Sequence, residues 1–277
     1  MAGTSGDPRA RIGISGWDYA GWRGTFYPTG LGRADELAYA AARFATIEIN
    51  ASFYALQRPT TWHAWREAAP PGFVFAVKAP RFITHVKRLH DVAAPVANFF
   101  ASGVLSLGDR LGPVLWQLPP TLTYDPDRLE TFLDLLPAGT GEAVEVGRHH
   151  DERMAGRMDL TCPVDRPLRH AIEVRHPSFA DDRFTEQLAR HRVALVRSDS
   201  PGRWPDLDRA TTDLAYARLH GATELYAGGY TSAQLRRWAG WVRHQVEAGR
   251  DTYVYFDNDA RGHAPFDAHA LAELIGG

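Results

Sequence analysis

The sequence predicts an α/β protein folded as a single (β/α)8 TIM-like barrel, and three observations carry that prediction. Eight short apolar runs recur along the 277 residues, each ending in a polar or charged cluster. Helix-patterned segments alternate with these runs, the order that a parallel sheet with crossover helices requires. A barrel of about 250 residues also accounts for the chain without remainder. The run ends read Ser15-Gly16-Trp17, Glu48-Ile49-Asn50, Lys78-Ala79-Pro80-Arg81, Gln117, Glu173-Val174-Arg175-His176, Arg197-Ser198-Asp199, Arg218-Leu219-His220-Gly221 and Asp257-Asn258-Asp259. Such barrels build their sites at the C-terminal ends of their strands.

Taken in order, residues 1–10 are small and polar and read as a flexible tail, with 11–277 as one barrel domain. Arg11–Ser15 is the first strand. The loop that follows holds two Trp, two Tyr, one Phe and four Gly before Gly32, a composition that suggests a site-lining loop. A helix over Ala34–Phe44 places Leu37, Ala41 and Phe44 on one face. Thr46–Asn50 is the second strand, and a helix from Thr60 stops at Pro70-Pro71-Gly72. Phe73–Lys78 is almost wholly apolar, as a strand covered on both faces must be. A basic loop, Pro80–His90, precedes a helix over Val92–Leu107, and Pro113–Gln117 is the fourth strand.

Asp125-Pro126 is an N-cap followed by proline at the first helical position, opening a helix to Leu136. A further helical stretch covers Gly141–Arg157. His170–Arg175, Val193–Ser198, Ala215–Leu219 and Thr252–Phe256 are the remaining strands, with helices over Asp182–His191, from Ser232 and over Phe266–Ile275. The link Ser200–Asp213 has two prolines and no helical period, so the helix between strands 6 and 7 is expected to be missing or irregular.

A net charge of −2, with 44% hydrophobic and 23% charged residues, excludes global disorder and gives no overall pull toward nucleic acid or an anionic membrane. Cys162 is the sole cysteine, which rules out an internal disulfide and a multi-thiolate metal site. There is no apolar segment of signal-peptide type near the start and no run of about 18 apolar residues. The expectation is a soluble cytoplasmic protein with no membrane partner.

Strand alternation assigns an interior set. Turning the apolar positions toward the helices leaves Ser15, Glu48, Asn50, Lys78, Gln117, Glu173, Arg175, Arg197, Asp199, Arg218, His220 and Asp257 inside. Four acids (Glu48, Glu173, Asp199, Asp257) then balance four bases (Lys78, Arg175, Arg197, Arg218). Unpaired buried ions cost several kcal/mol, so this is either a structural salt-bridge lattice or a pocket for a polar ligand.

These residues resemble a known family. Gly13-Ile14-Ser15-Gly16-Trp17 with Trp22-Arg23-Gly24 and Phe26-Tyr27-Pro28 is similar to the opening signature of the domain-of-unknown-function family 72, the YecE-like proteins. Glu48–Tyr54, Phe73–Arg81 with Ile83-Thr84-His85, Leu111–Pro120, Ile172–His176, Arg218–Gly221 and Tyr255–Asp259 resemble its later signatures. The resemblance spans about residues 11–275 and implies a TIM barrel but no established activity. Two departures stand out: Ser52 occupies a position where the family often has Thr, and Asp257 one where Asn is common.

The site residues suggest chemistry as follows. Glu48 and Glu173, on strands across the barrel, are acid/base candidates, and two carboxylates about 5–10 Å apart suit glycoside chemistry. Trp17, Tyr19, Trp22 and Tyr54 could stack on a sugar. Lys78, Arg81, His85, Arg175 and Arg218 suit an oxyanion, with His220 as proton carrier. Asn50, Gln117, His176, Asp199, Asp257 and Asn258 would orient the substrate. The expected function is therefore an enzyme acting on a small polar or anionic substrate, phosphorylated or carbohydrate-like, by acid/base catalysis. Alternatives are a metal-dependent phosphodiester hydrolase of endonuclease IV type acting on nucleic acid, and a non-catalytic metabolite sensor. A divalent metal is admitted by Glu173, His176, Asp199, His220, Asp257 and Asp259 but disfavoured by the arginines on the same rim. Nucleic acid is likewise admitted but not favoured.

Overall fold

The computed structural model describes residues 9–276. Eight parallel strands close in sequence order: β1 (Ala10–Ser15), β2 (Thr46–Ile49), β3 (Val74–Lys78), β4 (Leu111–Gln117), β5 (His170–Glu173), β6 (Val193–Asp199), β7 (Leu214–Leu219) and β8 (Asp251–Phe256). Residues 1–8 of the expected tail lie outside the described residues. Ala10 belongs to β1 and pairs with Thr252, so the barrel begins one residue earlier than expected.

The helices are α1 (Glu36–Ala41), α2 (Ala51–Tyr54), α3 (Pro59–Ala68), α4 (Ala93–Ala101), α5 (Pro126–Leu133), α6 (Thr140–Arg148), α7 (Asp182–Arg190), α8 (Ser232–Glu247) and α9 (Ala264–Gly276). Asp125 caps α5 as expected, its side chain accepting from the Arg128 amide. At α8 the cap is Thr231 rather than Ser232, in a reciprocal capping box with Gln234. The expected helix over Val92–Leu107 divides, because Gly103 at φ +98 ends α4 and a 3-10 stretch, Val104–Arg110, follows. The basic loop contains a π-helical turn, Phe82–Val86, followed by three non-glycine residues in the left-handed region, Arg88, Leu89 and Asp91.

The barrel interior has two storeys. The lower is packed by Val74, Ala76, Leu115, Ala171, Ala194, Val196, Leu214, Tyr216, Tyr253 and Tyr255. Two of its tyrosine hydroxyls are bonded: Tyr255 shares a 2.7 Å bond with Thr46 Oγ1, and Tyr216 donates upward to Glu48. The upper storey is ionic. Outside the sheet, a second core fills the space under the helices.

One strand runs in the opposite parity to that expected. On β6, Ala194, Val196 and Ser198 face inward, so Arg197 and Asp199 face out. Both faces of Val193–Val196 are apolar, and alternation therefore carries no parity signal there. Outside the barrel, Arg197 binds both oxygens of Asp206 at 2.9 and 3.0 Å and Asp208 at 2.9 Å, and lies 4.8 Å from the Trp238 ring. Asp199 accepts from Trp238 Nε1 at 3.1 Å. No helix spans 200–213, and this ion cluster covers β6 where a helix packs elsewhere.

The Gly- and aromatic-rich loop also differs from expectation. Trp22 and Tyr27 are fully buried, and Phe26 packs on Phe44 and Tyr39. Trp22, Phe26 and Tyr27 form a small core of their own, and Trp17 packs edge-on against Trp65 at 5.3 Å.

Gly13 is required by close approach. A Cβ there would sit 1.9 Å from the Thr46 carbonyl oxygen, on the strand that β1 pairs with. Gly13→Ala is expected to cost about 3 kcal/mol or more by forcing the two strands apart. Gly240→Ala, in the middle of α8 with nothing within 4 Å, should stabilise by about 0.5–1 kcal/mol. Urea unfolding of both variants checks the pair.

Candidate functional site

Arg218 stands at the centre of the upper storey. It comes from β7, is fully buried, and reaches three carboxylates. Its Nη2 donates to Glu48 at 2.8 Å and its Nε lies 3.1–3.2 Å from both Glu48 oxygens. Nη1 donates to Glu173 at 2.8 Å, and Nη2 lies 3.0 Å from Asp257. Glu48 also accepts from Ser15 at 2.8 Å and Tyr216 at 2.5 Å. Glu173 accepts from Ser198 at 3.1 Å and faces Arg175 at 3.4 Å. Ser198 can do this only because β6 has the parity described above.

His220 is wedged between Glu173, 2.7 Å from Nε2, and Asp257, 2.8 Å from Nδ1. Each ring nitrogen therefore faces a carboxylate oxygen, from β5 on one side and from just past β8 on the other. Burial alone would raise the Glu173 carboxyl, but Arg175, Arg218 and His220 hold it well below the ordinary range. Burial likewise opposes ionisation of Asp257, and Arg218 with His220 overcomes it.

This geometry reassigns several expected roles. Glu48 and Glu173 are fully buried with their oxygens engaged and form the base plate of the site. His220 is also fully buried, with Trp204 and Tyr226 packed edge-on over it at 5.1 and 5.5 Å. Asp199 lies outside the barrel, as above. Asn258 faces the helix layer, donating to Gly228 O at 3.0 Å and Asp267 at 2.8 Å, because it alternates with inward Asp257. His176 caps a 3-10 turn, accepting from the Ser178 amide.

Above the base plate stand groups whose bonding capacity the protein leaves unfilled. Arg175 is stacked 3.7 Å over Trp204, donates to Tyr226 at 3.1 Å, and keeps its buried Nε without a partner. Asn50, at the end of β2, has a buried Oδ1 without a partner. The ammonium of Lys78, at the end of β3, makes no hydrogen bond or ion pair among the described residues, while its backbone carbonyl accepts from Ser52 Oγ at 2.7 Å. Its Nζ lies 4.2 Å from the Phe53 ring centroid. Burial and then the Arg218 charge push it down to about 8, against the pull of Asp257, Glu48 and Glu173. His85, on the π-helical turn, contacts Gln117 Nε2 at 3.3 Å and is lowered to about 4 by burial and by Lys78, Arg175 and Arg81. Tyr19 donates to Ser15 O at 2.7 Å beside Asn50 and Asp259, and burial raises its phenol far above the usual range. Arg81 and Tyr54 are exposed on the rim.

Sequence reasoning left Ser198, Trp204 and Tyr226 out of the expected site and named Asp259 only among the residues admitting a metal. Asp259 is raised to about 6, first by burial and then by Asp257. Its signal was its place two residues beyond inward Asp257. Trp204 and Tyr226 sit in long links where no alternation applies.

The mouth does not fit a metal. Glu173, His220 and Asp257 already direct their ligand atoms at one another and at Arg218. Glu130, Asp134 and His191 do bring ligand atoms within 4.8 Å, but on the outer layer, with Glu130 held by Gln187, Arg190 and His191.

The two buried cations should behave oppositely. Arg218→Met strands three carboxylates and should cost about 3–5 kcal/mol or prevent folding. Lys78→Met should be neutral or stabilising, since it orphans no carboxylate. The Lys78 value is below its unfolded value of 10.5, so the folded state binds fewer protons between the two, and stability should rise with pH across that window. The gain from pH 8 to 9.5 should be roughly 1.5 kcal/mol in the native protein and absent in Lys78→Met, read by urea unfolding.

The model of the family described as "Protein of unknown function DUF72" matches residues 11–277. UPF0759 protein YunF of Bacillus subtilis (strain 168) is 24% identical over 293 residues, covering 95% of this chain and 94% of that protein. UPF0759 protein YecE of Escherichia coli (strain K12) is 32% identical over 141 residues, covering 50% and 48%. Among solved structures, a DUF72 family protein from Thermotoga maritima superposes with TM-score 0.76 at 25% identity, covering 97% of this chain and 99% of that one. One from Enterococcus faecalis superposes with TM-score 0.71 at 15% identity, covering 96% and 95%. An eight-stranded barrel whose sequence matches the family model from its first strand to its last residue belongs to the DUF72 family.

Proposed function

We propose that the protein is an enzyme that holds the oxyanion of a small polar substrate, phosphorylated or carbohydrate-like, at the C-terminal mouth of the barrel and moves protons with Lys78 and Asp259. The observation that carries this reading is the unpaired Lys78 ammonium. A buried cation without a counter-ion costs stability, and a bound anion relieves that cost. The chain already has the means to neutralise buried charge, as Arg218 demonstrates, yet Lys78 is left facing an aromatic ring. Arg175 adds a guanidinium with an unpartnered Nε, and Asn50 an unpartnered acceptor, each from a different strand end.

In this reading Arg175 and Lys78 grip and polarise the oxyanion, and Trp204 fixes the Arg175 plane from behind. Asn50 and Gln117 orient the remainder. Asp259 accepts a proton once ionised and Lys78 donates one while charged, so the working window lies between about 6 and about 8. Glu48, Glu173 and His220 act through Arg218 and Arg175 as positioning residues.

Titration with inorganic phosphate by calorimetry tests the anion site. Binding at pH 8 should be accompanied by proton uptake, because an adjacent anion raises Lys78, and Lys78→Met should weaken binding at least about tenfold with the fold intact. Equal affinity in both proteins, or no proton uptake, would remove the basis of the reading. For any substrate turned over, kcat/KM should follow a bell with limbs near 6 and 8, and Asp259→Asn should abolish the acidic limb.

A further inference from the structure

Beside the mouth, on the far side of the Phe53 ring, runs a second concavity of about 330 Å³ between α2, the π-helical turn and α4. That volume falls within the size range of small-molecule sites, about 300–1,000 Å³. Its walls include Phe53, Tyr54, Leu56, Phe82, Ile83 and Val86. Three of these are exposed apolar side chains: Tyr54 at 71%, Phe82 at 39% and Val86 at 58%. Scattered exposed hydrophobes need no explanation, but three around one groove do.

The groove is joined to the charged mouth through one side chain. The Phe53 ring carries the Lys78 ammonium at 4.2 Å and packs edge-on with His85 at 5.1 Å, and it also lines the groove. Arg81 borders the groove too, and its charge acts on His85. A ligand whose oxyanion lies at Lys78 is therefore one ring-width from an apolar trough. The trough is walled by rings, which accept another ring in edge-to-face or offset packing.

We infer that the groove completes the binding site, and that the substrate is an amphiphile with an oxyanionic head at Lys78 and Arg175 and an aryl group in the groove. The inference rests on the anion-binding reading of the mouth and adds the chemical class of the remainder. Arg81 and Arg153 on the groove border suit the junction between head and ring.

Methylphosphonate and phenylphosphonate share a head and differ in the ring, so calorimetry with both separates the two claims. The native protein should bind phenylphosphonate at least about tenfold more tightly. Val86→Asn, uncharged and on an exposed edge, should erase that advantage while leaving methylphosphonate affinity within about twofold. Lys78→Met should weaken both ligands. If the two phosphonates bind the native protein equally, or Val86→Asn keeps the full advantage, the groove is not the aryl site and the mouth reading stands. If methylphosphonate does not bind at all, the mouth reading fails and takes this inference with it. If light scattering shows a dimer that Val86→Asn dissociates, the groove is a self-association surface and the inference is overturned.

Discussion

A guanidinium that cannot lose its proton sits in the barrel axis and neutralises carboxylates from three different strands. Arg218 meets Glu48 of β2, Glu173 of β5 and Asp257 just past β8, so one side chain ties strands across the barrel. Its planar fork allows this, since several donors leave one plane in fixed directions. The polar groups of the base plate take their places from this contact. Glu173 held by Arg218 can grip His220 and Arg175; Glu48 held by it can accept from Ser15 and Tyr216. Below, Tyr216 of the apolar floor lends its hydroxyl upward to Glu48, so the ionic storey meets that floor without an abrupt break in polarity.

The division between saturated and unsaturated groups separates architecture from chemistry. Residues whose hydrogen-bonding capacity is filled by protein hold the shape. Residues with capacity left over, Lys78, Asn50 and Arg175 among them, mark where something else belongs. A lattice of ion pairs and a ligand pocket were competing explanations for the same charges. The lattice is present, and the groups that it leaves unsatisfied lie beside it at the strand ends.

Much of this was legible in the sequence. Polar residues closing apolar runs located all eight strands, and alternation placed Glu48, Lys78, Glu173, Arg218, His220 and Asp257 correctly inside. Where it failed, at Arg197 and Asp199, both faces of the strand were equally apolar, and the true partners, Asp206 and Asp208, lay in a link without periodicity. Dropping Arg197 and Asp199 together removes one charge of each sign, so the balance inferred for the interior survived the error. Roles were harder to read than positions. Nothing in the residue types distinguishes a carboxylate with all its acceptor sites filled from one left open. The aromatic loop after β1 misled for a related reason: rings that stack on each other and rings that await a ligand have the same composition.

The helix-less link between β6 and β7 closes its sector with Arg197, Asp206 and Asp208 rather than with a greasy helical face, and those side chains remain partly in water. Adhesion of this kind is screened by dissolved ions, whereas helix-on-sheet packing is not. The same link carries Trp204, which roofs Arg175 and His220. The roof of the site thus shares its link with ion pairs that dissolved salt weakens.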